Sequence, residues 1–165
     1  MEKKFGILPS GEEVGLYTIS CGGVTAGITD YGAALVSLLV PDSAGNLADV
    51  VLGFDDCAGY ANGDGCLGAT VGRSANRIQG AAFRLGSRDC CLTPNENGNN
   101  LHSGPDFYFK RLWKLISHTD TEVVLELHSP HGDQGCPGNA EIRVTYSLDA
   151  SGGLHIVYDG ICDQD

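Results

Sequence analysis

Short runs in which apolar and polar residues alternate, separated by glycine-rich turns, limit what this chain can fold into. Residues 141–148 show the pattern most clearly, because every second side chain there is apolar. The pattern recurs in residues 122–128 and in a last run, whose expected inward-facing side chains are Leu154, Ile156 and Tyr158. Such alternation is typical of strands buried on one face. Glycine, at 24 of 165 residues, is about twice as frequent as the usual ~7%, which favours tight turns over long helices.

Similar runs extend this pattern over the rest of the chain. We predict further strands over residues 13–20, 24–29, 35–40, 49–54, 83–85 and 89–92. One short helical turn is expected at residues 55–60, with Asp55 as its cap. The turn at residues 149–153 should join the last two strands as a hairpin. Short strands with frequent turns predict an all-β fold built as an antiparallel β-sandwich.

The charge balance argues against several classes of partner. The chain carries 10 basic against 21 acidic residues, a net charge of −11, and has no basic cluster. We therefore predict that it binds neither nucleic acid nor an anionic membrane. It contains no run of about 20 apolar residues, so no membrane span is expected. The first residues lead into no apolar segment of the secretory type, which predicts a cytoplasmic protein.

The seven cysteines form no recognisable metal or disulfide pattern. Their number is odd and no Cys-x-x-Cys spacing occurs, so reduced thiols are expected. The nearest approach to a ligand set is His128, His131 and Cys136, which lacks the paired spacing of a zinc site. Cys90 and Cys91 are adjacent in a predicted strand and should point to opposite faces. We predict neither a metal nor another cofactor.

Two turn-rich blocks, residues 72–78 and 99–104, carry the side chains best suited to a polar ligand. Loops on a β scaffold commonly hold binding and catalytic residues. The first block contains Asn76 and Arg77, whose amide and guanidinium groups suit the neighbouring hydroxyls of a sugar. The alternative is that Arg73 or Arg77 pairs with an acidic side chain of this acidic protein.

The second block contains His102. A histidine donates and accepts protons near neutral pH, so it could move a proton to or from a sugar oxygen. The alternative is a turn histidine that is bonded to local backbone. The histidines at positions 118, 128 and 155 fall in predicted strands at polar-facing positions, and we interpret them as solvated.

A third turn-rich block, residues 129–138, precedes a predicted strand. Its proline and glycine residues fix the backbone. We interpret it as mainly structural, although Asp133 or Gln134 could reach a ligand.

These three blocks, in their order and spacing, resemble the N-terminal half of the aldose 1-epimerases, also called galactose mutarotases. The N-R-I element of that family is similar to residues 76–78, and its N-x-L-H-G-G element to residues 99–104. Its D-G-x-x-G-F/Y-P-G loop is similar to residues 131–138. Residues 50–55 and 110–114 also resemble segments of the family.

Three positions depart from the family pattern. Ser103 stands where the family usually has Gly, His131 where it has an acid, and Cys136 where it has an aromatic residue. The side chain of Ser103 is expected to crowd a bound sugar slightly.

The resemblance implies a fold, a reaction and a set of site residues. The fold would be a β-sandwich of the galactose mutarotase-like (supersandwich) type, incomplete here, with residues 1–165 as the N-terminal part of one domain. The reaction would interconvert the α and β anomers of hexoses such as galactose or glucose, with an aldose as partner and no cofactor. His102 would be catalytic, and Asn76 and Arg77 would bind substrate hydroxyls.

The resemblance also implies that essential groups lie outside this sequence. In the family a second His acts as general acid and a Glu as general base, and both would follow Asp165. The isolated chain is therefore expected to be weak or inactive as an enzyme. A non-catalytic carbohydrate-binding module and an inactive truncated fragment remain as alternatives. An incomplete sandwich would leave unpaired strand edges, which favour self-association.

Overall fold

The computed structural model describes residues 2–63 and 65–164, and strands dominate both ranges. The strands are β1 Glu2–Ile7, β2 Glu13–Cys21, β3 Val24–Thr29, β4 Ala34–Pro41, β5 Leu47–Asp49, β6 Arg77–Ile78, β7 Ala82–Leu85, β8 Arg88–Cys91, β9 Asn100–Leu101, β10 Lys114–His118, β11 Glu122–Ser129, β12 Ala140–Leu148 and β13 Leu154–Cys162. Helix α1 spans Cys57–Asn62, and short 3-10 helices occupy Gln79–Ala81, Tyr108–Lys110 and Asp133–Gly135. Within these ranges no helix is long and apolar enough to cross a membrane. The predicted all-β class is confirmed.

Two antiparallel sheets form the body of the molecule. One has the order β1-β2-β3-β4-β5 and the other the order β10-β11-β12-β13. Their apolar faces share a core in which Ile19 and Ile28 of the first sheet lie with Leu125 and Val144 of the second. The hydroxyl of Tyr146 donates to the carbonyl of Ala33 at 2.8 Å, which links the sheets by a buried hydrogen bond. The predicted sandwich therefore holds for this part of the fold.

Two small antiparallel ladders accompany the sheets. β7 pairs with β8 as the predicted hairpin. β6 pairs with β9, with Arg77 opposite Leu101 and Ile78 opposite Asn100. The second ladder joins the first two turn-rich blocks.

Most predicted strands are confirmed, and the segment at residues 49–54 is wrong. β5 ends at Asp49, and no strand follows it through Phe54. The Asp49 carboxylate accepts from the backbone N–H groups of Leu38 and Val51 at 3.0 and 3.1 Å. This side chain therefore takes the place of a ladder partner and ends the pairing.

Helix α1 begins later than predicted. Its N-cap is Asp56 rather than Asp55, and the Asp56 carboxylate accepts from the N–H of Gly59 at 2.9 Å. Either aspartate satisfies the sequence preference for an N-cap. The position of the first helical turn decides between them.

The last strand differs from expectation in its burial. β13 pairs with β12 over its full length, and its register places Ile156 and Tyr158 opposite Tyr146 and Val144, on the core face. Ile156 and Tyr158 are nevertheless exposed, and Leu154 is only half-buried. The predicted face is correct and the predicted burial is wrong, because no described element covers the core face of β13.

Candidate active site

Asn76 and His102 meet across the ladder formed by β6 and β9. The N–H of His102 donates to the carbonyl of Asn76 at 2.9 Å. In return the N–H of Asn76 donates to Nδ1 of His102 at 2.9 Å. Both residues have left-handed backbone angles, with φ of 64° and 54°, a conformation that Asn and His adopt more readily than most residues. Two residues 26 positions apart are thus held in one reciprocal contact.

This contact fixes the chemical state of the His102 ring. Because Nδ1 accepts a hydrogen bond, the neutral ring carries its proton on Nε2. Among residues 2–63 and 65–164, Nε2 has no hydrogen-bond partner. The ring is half-buried and presents a free N–H donor. The alternative of a histidine bonded to local backbone is therefore wrong, because Nδ1 bonds to the backbone of Asn76 in the other block, and Nε2 remains available.

Arg77 makes a two-point ion pair with Glu96. Its Nε lies 2.7 Å from Oε2 and its Nη2 lies 2.5 Å from Oε1. This hydrogen bonding and the charge of Glu96 raise the pKa of Arg77. The hydrogen bond from Arg77 in turn lowers the pKa of Glu96. The alternative that Arg77 pairs with an acid is therefore correct in this structure.

The ion pair leaves much of the guanidinium accessible. About half of the Arg77 side chain is exposed (53%), and its Nη1 contacts Oδ1 of Asn76 at 3.3 Å. A protonated ring at His102 would also favour the ionised form of Glu96. Asn76, Arg77, Glu96 and His102 therefore form one polar cluster, which we call the Arg77–His102 site. Sequence reasoning missed Glu96, whose only signal was the expected pairing of an arginine with an acid.

Asparagine side chains hold the loop that carries Glu96 and His102. The amide of Asn95 bonds both to the N–H and to the carbonyl of Leu101, at 2.7 and 2.9 Å. The amide of Asn100 donates to the carbonyls of Thr93 and Gly104, at 2.8 and 3.1 Å. These contacts satisfy backbone groups that regular secondary structure would otherwise pair, and they give the loop a defined shape.

Ser103 ties the two blocks together below the surface. Its side chain is fully buried, and its hydroxyl accepts from the N–H of Ser74 at 2.8 Å and contacts the Ser74 carbonyl at 3.2 Å. The hydroxyl is thus engaged with backbone inside the protein. The expectation that Ser103 crowds a bound ligand finds no support in this geometry.

The third block is built around Arg73. Its guanidinium donates to Oγ of Ser129 at 2.8 Å and to the carbonyls of Pro137 and Gly138 at 2.7 and 2.9 Å. No acid pairs with Arg73 among the described residues, in contrast to Arg77. Arg73 instead organises the loop at residues 129–138. Its rigid fork of donors suits several carbonyls at once.

The side chains of Asp133 and Gln134 are also engaged in hydrogen bonds within the protein. Both carboxylate oxygens of Asp133 accept from Arg111 at 2.8 Å, and Ser129 donates to Asp133 at 2.6 Å. Burial alone would raise the pKa of Asp133, but the hydrogen bonds from Arg111 and Ser129 outweigh it and lower the pKa. Gln134 donates to the carbonyl of Asp106 at 2.8 Å. The interpretation of this block as mainly structural agrees with these contacts.

The remaining histidines and cysteines take several roles. The solvated interpretation is wrong for His118, which is half-buried against the ring of Tyr17 with its Nε2 3.1 Å from the carbonyl of Thr18. His155 contacts the carboxylate of Asp149 at 2.7 Å. The cysteines at positions 21, 57, 66, 90, 91, 136 and 162 are free thiols. Cys90 is buried and Cys91 exposed, as their opposite orientation predicts.

His131 and Cys136, two members of the nearest approach to a ligand set, make other contacts. Nδ1 of His131 accepts from the N–H of Gly138 at 3.0 Å, and Cys136 is buried with Ala81 and Leu92. No group of three or more potential metal ligands occurs in the part of the chain that the structure describes.

Comparison with known proteins decides the family. Residues 15–165 match the sequence model of the family described as aldose 1-epimerase. This chain belongs to the aldose 1-epimerase family. The aldose 1-epimerase of Escherichia coli K12 is 33% identical over 159 residues, which cover 96% of this chain and 46% of that protein. The galactose mutarotase of Mus musculus is 37% identical over 161 residues, which cover 97% and 46% of the two chains.

Solved structures agree with the sequence comparison. The GalM/aldose epimerase homologue of C. elegans superposes with a TM-score of 0.86 at 34% identity, over 91% of this chain and 46% of that chain. The galactose 1-epimerase of Lactobacillus acidophilus superposes with a TM-score of 0.85 at 24% identity, over 99% and 48%. The fold is therefore of the galactose mutarotase-like type. The chain spans about half the length of the curated relatives it matches.

Proposed function

We propose that this chain provides part of the active site of an aldose 1-epimerase that acts on hexoses such as galactose or glucose. The observation that carries the proposal is the reciprocal contact of Asn76 and His102, which leaves the Nε2–H donor of His102 free beside Arg77. Family membership supports the reaction class. The hexose substrate and the division of the site are our inferences.

Each residue of the Arg77–His102 site has a role that its geometry allows. Mutarotation removes the proton of the anomeric hydroxyl, protonates the ring oxygen, opens the C1–O5 bond and recloses the ring on the other face. Nε2–H of His102 would donate to the ring oxygen or to the anomeric hydroxyl. Arg77 and Asn76 would donate to and accept from the other hydroxyls. A neutral sugar needs both donors and acceptors, and Glu96 adds carboxylate acceptors beside them.

We propose that the Arg77–His102 site is only part of the active site and lacks its general acid and general base. The resemblance assigns the general acid and the general base to a second His and a Glu, in the half of the relatives that this chain does not span. We further propose that residues 1–165 are the N-terminal part of one mutarotase-like domain in a cytoplasmic protein. The reaction needs an acid and a base and no cofactor. Weak self-association of the isolated chain through unpaired strand edges is also proposed.

Galactose binding tests the assignment of the site. We expect saturable changes in the NMR spectrum of the chain on titration with galactose, with a several-fold weaker affinity in Arg77→Ala. Arg143→Ala is the matched control, since Arg143 is equally exposed (52%) and pairs with a glutamate, Glu126, at 2.6 Å. Loss of binding in both variants, or in neither, would contradict the assignment.

Polarimetry of fresh α-galactose tests the division of the site. A positioned acid or base contributes about 10²–10⁴ in rate, so a chain that lacks both should differ little from the uncatalysed reaction. Fast mutarotation proportional to the concentration of the isolated chain would show that the site is complete. Binding without catalysis, even after completion of the fold, would favour the carbohydrate-binding module instead.

A further inference from the structure

The positive charge of Arg77 is balanced within the Arg77–His102 site. Nε and Nη2 of Arg77 donate to the two carboxylate oxygens of Glu96 at 2.7 and 2.5 Å. This two-point contact matches the fork of a guanidinium to a carboxylate. The hydrogen bond from Arg77 lowers the pKa of Glu96, so the carboxylate stays ionised. At neutral pH the pair therefore carries no net charge, although half of the Arg77 side chain is exposed.

A tight turn holds Glu96 in position to make this pair. The N–H of Glu96 donates to the carbonyl of Asn99 at 3.1 Å, and the N–H of Asn99 donates to the carbonyl of Glu96 at 2.8 Å. Between them, Asn97 and Gly98 have left-handed φ angles of 49° and 81°, as Asn-Gly has in the type I′ turn of a hairpin. The turn leads directly into β9, which pairs with the strand that carries Arg77. The main chain of Glu96 is therefore fixed relative to Arg77.

Arg73, the other arginine of the first turn-rich block, does not offer its charge to a ligand. Its Nε and Nη2 donate to Oγ of Ser129 at 3.1 and 2.8 Å. Its Nη1 and Nη2 also donate to the carbonyls of Pro137 and Gly138. The chain as a whole carries a net charge of −11, which repels anions at long range. An anionic ligand at the Arg77–His102 site would therefore meet a neutral ion pair rather than a free guanidinium.

We propose that Glu96 is a specificity-determining residue, which restricts the Arg77–His102 site to neutral aldoses and excludes sugars that carry a carboxylate or a phosphate. The exposed part of Arg77 still donates hydrogen bonds to hydroxyls. A carboxylate or phosphate would gain little from a guanidinium that is already balanced, and the Glu96 carboxylate would repel it. A free arginine would instead bind such a group through two parallel hydrogen bonds. This inference rests on the proposed function and deepens it.

Glu96→Gln tests the inference, because it keeps the shape of the side chain and removes its charge. The probes are galactose, galacturonate, which has a carboxylate in place of the C6 hydroxymethyl group, and inorganic phosphate, which needs no sugar contacts. NMR titrations followed at the amides of residues 76–78 and 101–103 give a dissociation constant for each probe. We expect Glu96→Gln to bind galacturonate and phosphate about tenfold more tightly than the wild type, as one hydrogen bond to a charged group would give. The affinity for galactose should not rise.

Glu126→Gln is the matched control. Glu126 pairs with Arg143 at 2.6 Å, and Arg143 is as exposed as Arg77 (52% against 53%). This pair lies on β11 and β12, outside the Arg77–His102 site. Its loss should leave the titrations at residues 76–78 and 101–103 as they are in the wild type. A double variant, Glu96→Gln with Arg77→Gln, should lose the gain in anion binding, which would assign the gain to the guanidinium of Arg77.

Three results would overturn the inference. Galacturonate could bind the wild type as tightly as it binds Glu96→Gln, the gain could persist in the double variant, or Glu126→Gln could reproduce it at the same amides. A wild-type chain that does not bind galactose would overturn the proposed sugar site and, with it, the selection between sugars. The phosphate titrations would still show in that case whether Glu96 balances the charge of Arg77.

Discussion

Single side chains in the candidate site gain their roles from what they contact across the chain. His102 is available because the Asn76 N–H occupies Nδ1 and leaves Nε2 free. Arg77 is held in place by Glu96. Ser103 adopts a left-handed conformation with φ of 56°, which costs a non-glycine residue about 1 kcal/mol. Its two contacts with Ser74 offset that cost.

Replacement of Ser103 separates the cost of its left-handed backbone from the contribution of its contacts with Ser74. Ser103→Ala keeps the backbone strain and leaves the N–H of Ser74 without its acceptor, so we expect a loss of about 1–2 kcal/mol in the free energy of unfolding. Ser103→Gly also removes the strain and should cost less. Urea denaturation of the three proteins measures both values. Equal losses in the two variants would show that the left-handed backbone contributes nothing.

Among the elements, the loop at residues 129–138 is positioned by charged side chains from distant parts of the sequence. Arg73 and Arg111 both reach it, Arg73 through backbone carbonyls and Arg111 through an ion pair with Asp133. Gly135 closes the loop against the carbonyl of Cys91. Its φ is 80°, and a Cβ at this position would lie 2.4 Å from the carbonyl oxygen of Cys91, so no side chain fits. Side-chain contacts and this close approach therefore hold the loop in place although it is mostly irregular.

Two aspartates on Arg111 provide a matched test of this loop. The side chain of Asp133 is 10% exposed and that of Asp106 is 75% exposed, and both accept from Arg111. Asp133→Asn removes the less exposed of the two carboxylates that pair with the half-buried Arg111 and should cost about 1.5–3 kcal/mol at neutral pH. Asp106→Asn should cost much less, because an exposed pair is screened by solvent. Thermal unfolding of both variants measures the difference.

The pKa of Asp133 also predicts how the stability of the protein depends on pH. Its folded-state pKa is lowered, so its contribution is complete above the unfolded-state pKa of about 3.9 and is lost as the pH falls through the lower folded-state value. Wild-type stability should therefore fall more steeply than that of Asp133→Asn below about pH 4. Parallel curves for the two proteins would contradict this assignment.

At the scale of the whole molecule, stability should be unevenly distributed. β11 lies between two strands and its apolar side chains Val123 and Leu125 are fully buried. β13 pairs on one side and is exposed on both faces. Local opening is therefore easier at β13 than at the centre of the sheet.

Native-state hydrogen exchange checks this gradient. We expect the amides of β13 to exchange orders of magnitude faster than those of β11 at neutral pH, and β12 to be intermediate or slow. Equal protection of the β11 and β13 amides from exchange would contradict the expected gradient in local stability. The alternating amides of β13 that bond to β12 serve as an internal control for those on the free edge.

Sequence patterns were enough to predict most of the strands, their apolar faces and the two blocks that hold Asn76, Arg77 and His102, but they missed β1 and extended β5 wrongly through Phe54. The correct predictions follow from periodicity and turn chemistry, which are local properties of the chain. The folded structure was needed to show that Glu96 pairs with Arg77, that Arg73 bonds to a loop about 60 residues away, and that His118 is half-buried. It also shows that Ile156 and Tyr158, which lie on their predicted core face, are exposed. The physical reason is that alternation specifies which way a side chain points, whereas pairing and burial depend on what lies opposite it.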